Sequence, residues 1–136
     1  MPEEKGEICI GIDLGTTNSA MAIKEKGLKI LQNREGETVT PSVVSIYKGE
    51  LLVGRTAATR GELVPEDTIR SIKRLMGRSY EDKEVKLAKG HLSYKIVQPK
   101  SGAKSDLSVV MGGKEYSPIE ISAEILKKIK RDAEDY

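Results

Sequence analysis

Asp13, Gly15, Thr16, Thr17 and Asn18 lie within one short stretch, and their types and order point to phosphate chemistry. Gly15 has no side chain, so a ligand can approach its backbone closely. Successive N–H groups in a tight turn form a concave donor set suited to phosphate oxygens. Thr16, Thr17 and Asn18 add side-chain donors. Asp13 cannot usefully contact a phosphate alone, because like charges repel. A cation between them, bound directly or through its water shell, would give the carboxylate a role. These residues read as a phosphate loop with a metal-handling carboxylate beside it. An ordinary hairpin with polar turn residues is the other reading that this stretch alone leaves open.

The flanking sequence says what must hold the loop. In ICIGIDLG the residues alternate: Ile8, Ile10, Ile12 and Leu14 face one way, and Cys9, Gly11 and Asp13 the other. That is the period of a strand with one apolar face. A second apolar run, Ser19 to Ile23, follows the glycine and hydroxyl residues, so the pair reads as a hairpin. After the turn at Glu25-Lys26-Gly27, Leu28 to Leu31 reads as a third strand, which makes residues 8–32 an antiparallel meander. Asn33-Arg34-Glu35-Gly36-Glu37 is a charged loop.

Lys73 is the second point of interest. In VPEDTIRSIKRLMGR, Pro65 suits the first turn of a helix and Glu66 and Asp67 its positive end. Ile69, Ile72, Leu75 and Met76 recur at helical spacing, and Gly77 follows as a stop. Lys73 is thus expected in the last turn of a short helix. Read from the residues alone, it is a solvated charge that complements the helix dipole.

Between these two regions, Thr40-Pro41-Ser42 marks entry into a new element. Val43–Tyr47 and Leu51–Val53 read as a hairpin around Lys48-Gly49-Glu50, and residues 55–64 contain a short helix favoured by Ala57 and Ala58. Residues 79–92 are charged and ambiguous, with His91, the single histidine, as a surface loop residue. Tyr94–Val97 and Leu107–Met111 read as strands joined by the flexible loop PKSGAKSD. Gly112-Gly113 is a turn, and Lys114–Tyr116 a return strand. Neither Gly102-Ala103-Lys104-Ser105 nor Gly113-Lys114-Glu115 fits the strand–loop–helix phosphate motif, which needs adjacent Gly-Lys followed by Ser or Thr. The last element is the clearest helix. Ser117 caps it, Pro118 takes its first position, and Glu120 completes a capping box. Ile121 or Ser122, then Ile125, Leu126, Ile129 and Ala133 form its apolar face. Lys127, Lys128, Lys130 and Arg131 lie mostly off that face and read as solvated.

Composition removes several classes of function. The 136 residues suit about one domain. The 23 basic and 21 acidic residues give a formal charge of +2, which argues against nucleic-acid binding by bulk electrostatics. With no Trp and no Phe, base-stacking platforms are not expected. The single cysteine, Cys9, forbids an intrachain disulfide and, inside a strand, is expected to be a buried inert thiol. The acidic start MPEEKGE has no apolar run after it, and no stretch approaches the ~20 apolar residues of a membrane span. A cytoplasmic protein is the default expectation.

Four stretches line up in order: IGIDLGTTNS at 10–19, TPSVV at 40–44, IKRLMGR at 72–78, and ISAEILKKIK with AEDY at 121–136. Together they resemble the seventy-kilodalton heat-shock chaperone family, of the bacterial DnaK type, over nearly the whole chain. DLGTT is shared with actin-like filament proteins and with sugar and acetate kinases, which are the alternative readings. The TPS triplet and the lysine-arginine segment favour the chaperone.

The resemblance implies an α/β fold: an incomplete first lobe of an actin-like (ribonuclease H-like) ATPase, with an inserted smaller α+β subdomain. Residues 1–40 and 118–136 would be partial core, and 41–117 the insertion. Gly15, Thr16, Thr17 and Asn18 would bind ATP or ADP phosphates, Asp13 would sit near Mg²⁺ and K⁺, and Lys73 would reach the γ-phosphate. Asp13 and Lys73 are 60 residues apart in the chain, since 73 − 13 = 60, so only the fold can join them. Many relatives carry an aromatic where Asn18 stands. The implied partners are unfolded polypeptides, a J-domain co-chaperone and a nucleotide-exchange factor, with the Gly36 loop as a candidate exchange-factor contact. No nucleic acid and no membrane are implied. A terminal helix after only three main-sheet strands reads as a C-terminal truncation. The fragment is therefore expected not to hydrolyse ATP, and to self-associate through uncovered sheet and helix surface.

Overall fold

The first hairpin forms as its alternation predicts. A computed structural model describes residues 8–100 and 106–136. β1 (Ile10–Leu14) pairs antiparallel with β2 (Asn18–Lys24) in the register Ile10↔Ile23 through Leu14↔Ser19. β3 (Leu28–Ile30) completes the meander, and the two-residue β4 (Thr40–Pro41) joins the far end of β2, beside β3's edge. β5 (Val43–Tyr47) is the centre of a second sheet, between β6 (Glu50–Val53) and β7 (Thr68–Arg70). A third sheet orders β8 (Ile96–Val97), β9 (Ser108–Met111) and β10 (Lys114–Tyr116) with β9 central. The helices are α1 (Arg55–Arg60), α2 (Lys83–Lys89) and α3 (Pro118–Glu134).

One hydrophobic core runs through all three sheets. Met21, Ile23 and Leu31 from the meander join Val44 and Ile69 from the second sheet and Val109 and Met111 from the third. Ile121, Ile125 and Ile129 of α3 repeat every four residues and enter the same cluster. The capping box is present as expected. The Ser117 side chain accepts from the Glu120 amide, and the Glu120 carboxylate accepts from the Ser117 amide. Each bond satisfies a donor that the helix start would otherwise leave open.

Four expectations are corrected. Residues 65–76 do not form an α-helix. They fold as a 3-10 turn (Pro65–Asp67), strand β7, and a second 3-10 turn (Ile72–Leu75). Thr68 and Ile69 are β-branched and supply β5 with its second neighbour, and Ser71, at φ 58°, redirects the chain between strand and turn. Buried Ile69, Ile72 and Leu75 fit a strand followed by a turn as well as they fit a helix. Cys9 is exposed and precedes β1. The isoleucine face is only partly covered: Ile10 and Leu14 pack against the core, while Ile12 and the preceding Ile8 are exposed. Lys128 is the fourth correction: its side chain is only 11% exposed.

The ambiguous stretch 79–92 contains α2, introduced by Asp82, whose carboxylate accepts from the Ser79 amide. His91 is exposed, as expected. Most of the loop read at 99–106, including Gly102 to Ser105, lies outside the described residues.

Candidate functional site

The turn between β1 and β2 is built by glycine for a reason of space. A Cβ placed on Gly15 would lie 2.1 Å from the Asn18 carbonyl oxygen, an impossible contact with backbone. The bend can close as tightly as it does only without a side chain at that position. Asp13 sits opposite Ala20 in the last part of β1 and is exposed. Thr16 is half-buried, and Thr17 and Asn18 are exposed. Five of the six residues singled out from the sequence are therefore gathered in one hairpin.

Hydroxyl groups and backbone brace this hairpin from behind. The Ser42 amide donates to the Thr17 carbonyl at 2.9 Å. Asn18 and Ser19 pair with Pro41 and Thr40. The Ser19 and Ser42 hydroxyls share a buried hydrogen bond of 2.9 Å, and Asn33 donates its amide to the Thr40 hydroxyl at 3.0 Å. Buried hydroxyls cost stability unless partnered, and here each finds one. The sequence reading took Thr40-Pro41-Ser42 as a boundary and as part of the family resemblance, and missed this bracing. A signal was present: Thr40 and Ser42 are two apart, hence on one side of an extended chain, and Ser19 shares a face of β2 with buried Met21 and Ile23.

The turn that carries Lys73 follows a strand of the second sheet. β7 pairs with β5 in the register Val43↔Arg70. Ser42, the residue before Val43, is the one bonded to Thr17. The turn that carries Lys73 begins two residues after Arg70, so it leaves the sheet at the end of β5 that docks on the hairpin. Tyr94 secures this corner by donating its hydroxyl to the Arg70 carbonyl at 2.5 Å. Burial pushes the Tyr94 phenol well above its ordinary range. Ser122 of α3 donates to the Met76 sulfur at 3.3 Å on the other side of the turn. Lys73 itself is exposed and makes no ion pair among the described residues.

The Gly36 loop is held by charge and by one amide. Asn33 caps it, donating to the Val39 carbonyl and accepting from the Glu37 amide. Lys128 binds Glu35 at 2.9 Å and the buried Asp132 at 2.6 Å. Burial lowers the Lys128 pKa, but its hydrogen bonds to Asp132 and Glu35 outweigh that, and the balance is raised. Arg55 grips Glu37 with two bonds of 3.1 Å.

A family model described as Hsp70 protein matches residues 9–136. The chain belongs to the Hsp70 family. Hsp70 proteins are chaperones that bind nucleotide and Mg²⁺ and act on unfolded polypeptides with co-chaperones. Their ATPase domain is actin-like, and the mixed α/β arrangement of several sheets found here is consistent with an incomplete lobe of it.

Among the described residues no cluster of three or more His, Cys, Asp or Glu side chains could hold a metal unaided. The donor set nonetheless fits the magnesium that accompanies nucleotide in Hsp70 proteins. Mg²⁺ keeps several waters and takes one or two carboxylates plus substrate phosphates, and Asp13 is an exposed carboxylate on the strand leading into the glycine bend.

Proposed function

We propose that this chain supplies the first phosphate-binding half of the ATP site of a DnaK-type chaperone. In the complete protein, ATP binding and hydrolysis drive binding and release of unfolded polypeptide. The single observation that supports this most is the joint geometry of the Gly15 bend and the Lys73 turn. Both adjoin the Ser42 end of β5, although they are distant in sequence.

In this reading the amides and hydroxyls of Gly15, Thr16, Thr17 and Asn18 hold phosphate oxygens. Fixed donors of this kind need no reorganisation when charge moves. Lys73 brings a flexible ammonium to the γ-phosphate and offsets charge as the bond to the leaving group breaks. Asp13 would hold Mg²⁺ through water and lie near K⁺, and such metal would supply charge to neutralise the phosphates. Residues 1–40 and 118–136 act as partial core, with 41–117 as an insertion. The Gly36 loop offers a contact to a nucleotide-exchange factor, a J-domain co-chaperone stimulates the complete protein, and the protein works in the cytoplasm.

The chain alone binds nucleotide without turning it over, because in this reading it holds one phosphate-binding half of a two-sided cleft. Titration with Mg²⁺–ATP and a single-turnover assay test this reading. The expected result is binding at millimolar nucleotide, weakened about tenfold by Lys73→Ala, with no phosphate released above the blank. Absence of binding would overturn the phosphate reading. Phosphate release that Lys73→Ala abolishes would overturn the predicted inactivity.

A further inference from the structure

The bracing behind the hairpin consists of two buried side-chain pairs, Asn33 with Thr40 and Ser19 with Ser42, joined through the backbone of the β4–β2 ladder and beginning in the Gly36 loop. Asn33 accepts from the Glu37 amide at 2.8 Å and donates to the Thr40 hydroxyl at 3.0 Å. Thr40 pairs with Ser19 across the β4–β2 ladder. Ser19 bonds Ser42 through their hydroxyls at 2.9 Å, and the Ser42 amide ends the path on the Thr17 carbonyl at 2.9 Å. Asn33, Thr40, Ser19 and Ser42 are all buried, between 1% and 7% exposed. Water is therefore poorly placed to substitute for a missing partner, and losing one bond strands the next group.

The loop end of the line is anchored independently. Glu35 and Glu37, on either side of Gly36, are gripped by Lys128 of α3 and Arg55 of α1. The hairpin end has no such charge anchor among the described residues. Among the described residues it is tied to the chain beyond β2 by the two-residue β4 ladder and by two bonds to Ser42, one from the Ser42 amide to the Thr17 carbonyl and one between the Ser19 and Ser42 hydroxyls. A three-residue bend, half-buried at Gly15 and Thr16 and tied at the Thr17 carbonyl, at the Ser19 hydroxyl and by one short ladder, takes its geometry from whatever fixes Thr40 and Ser42.

We propose that Asn33 and Thr40 are positioning residues for the phosphate hairpin: through the Ser19–Ser42 hydroxyl pair they transmit the anchored geometry of the Gly36 loop to Gly15, Thr16 and Thr17. This rests on the phosphate-binding reading for its functional meaning, and on the hydrogen-bond geometry for its existence. Coupling through buried bonds is reciprocal, but the Gly36 loop has ion pairs of its own and the bend has none, so the visible effect of breaking the path falls on the bend. Loosening Asn33 or Thr40 loosens the bend, whereas loosening the bend leaves the loop held by its ion pairs.

The test uses the whole chain and isotope-resolved NMR. Thr40→Val keeps the shape of the side chain and removes the hydroxyl that accepts from Asn33. Thr40→Ser keeps the hydroxyl and serves as the rescue. Ser45→Ala is the control, because Ser45 is equally buried but bonds Thr68 and the Asp67 carbonyl in the second sheet. In Thr40→Val the backbone order parameters of Gly15, Thr16 and Thr17 should fall from about 0.85 towards 0.6. Exchange of the Ser42 amide should rise about 5–30-fold. Thr40→Ser should restore most of both, and Ser45→Ala should change neither. Asn33→Ala supplies a second variant at the far end of the path, with the same expected pattern.

Unchanged hairpin order in both Thr40→Val and Asn33→Ala would overturn the proposal. So would loosening spread equally over β5, β6 and β7, which would make these side chains contributors to global stability only. A variant that fails to fold is replaced by Ser42→Ala, which removes one hydroxyl at the hairpin end and carries the same two readouts. Titration of Mg²⁺–ADP into the same samples separates this inference from the one beneath it. If the parent chain binds no nucleotide while Thr40→Val still frees the bend, the phosphate reading fails and the positioning inference stands. If the parent binds and Thr40→Val changes neither order nor affinity, the reverse holds.

Discussion

The two hairpins at Gly15 and Lys48-Gly49 join strands of similar length in different ways. The tip between β5 and β6 has two residues with φ of 50° and 80°, the pattern of a type I′ turn, which matches strand twist without outside help. A Cβ on Gly49 would meet nothing within 4 Å. The tip between β1 and β2 is longer, has no residue at positive φ, and closes so tightly that a Cβ at Gly15 would strike backbone. It is also braced by Ser42 and β4, where the other tip makes its own geometry. A turn that merely reverses the chain needs only its own two residues. The Gly15 turn, which closes without positive φ, is held from behind by its neighbours.

Substitution at the two glycines should separate these cases most widely. Gly15→Ala is expected to cost about 3 kcal/mol, because the obstacle is backbone and cannot give way. Gly49→Ala should cost only about 1 kcal/mol, the price of a left-handed φ for an L-residue. Urea denaturation of both variants measures the difference; equal losses would erase the contrast.

The Gly36 loop offers the next largest effect. Asp132→Ala removes the buried partner of Lys128 and should cost about 1.5–3 kcal/mol. Exchange should quicken at residues 33–37 and stay unchanged at the self-sufficient tip 48–49. Hydrogen exchange read residue by residue checks this. An effect spread evenly over both regions would mean that Lys128 supports the fold and not the loop.

The smallest effect concerns the corner below Lys73. The Tyr94 phenol has a raised pKa in the folded chain, so its contribution is complete below the unfolded value near 10 and is lost as pH climbs above it. Denaturation midpoints of the parent chain should therefore fall above about pH 10. Tyr94→Phe should lose about 1 kcal/mol at neutral pH and show a shallower alkaline decline. A decline of identical steepness in both proteins would remove Tyr94 from the account.

How much of this was legible in the sequence depended on distance along the chain. The Gly15 hairpin and the Ser117–Glu120 capping box were readable because every partner lies within a few residues. The strand β7 was not, because Ile69, Ile72 and Leu75 satisfy helical spacing, and only the need of β5 for a second neighbour decides otherwise. Lys128 looked solvated because Glu35, one of its two partners, is 93 residues away. Cys9 looked buried because it was read as lying inside a strand, whereas the strand begins at Ile10 and leaves Cys9 exposed before it. In the candidate site, residue types named the hairpin. The bracing hydroxyls escaped notice because a buried serine and an exposed one look alike in a string of letters.

Residue-by-residue amide shifts during titration of the intact chain with Mg²⁺–ATP test the central claim most directly. The account predicts saturable shifts concentrated at Gly15, Thr16, Thr17 and Asn18, with a second group at Lys73 and its turn. Shifts confined to α2 and His91, with the hairpin unmoved at saturation, would contradict it.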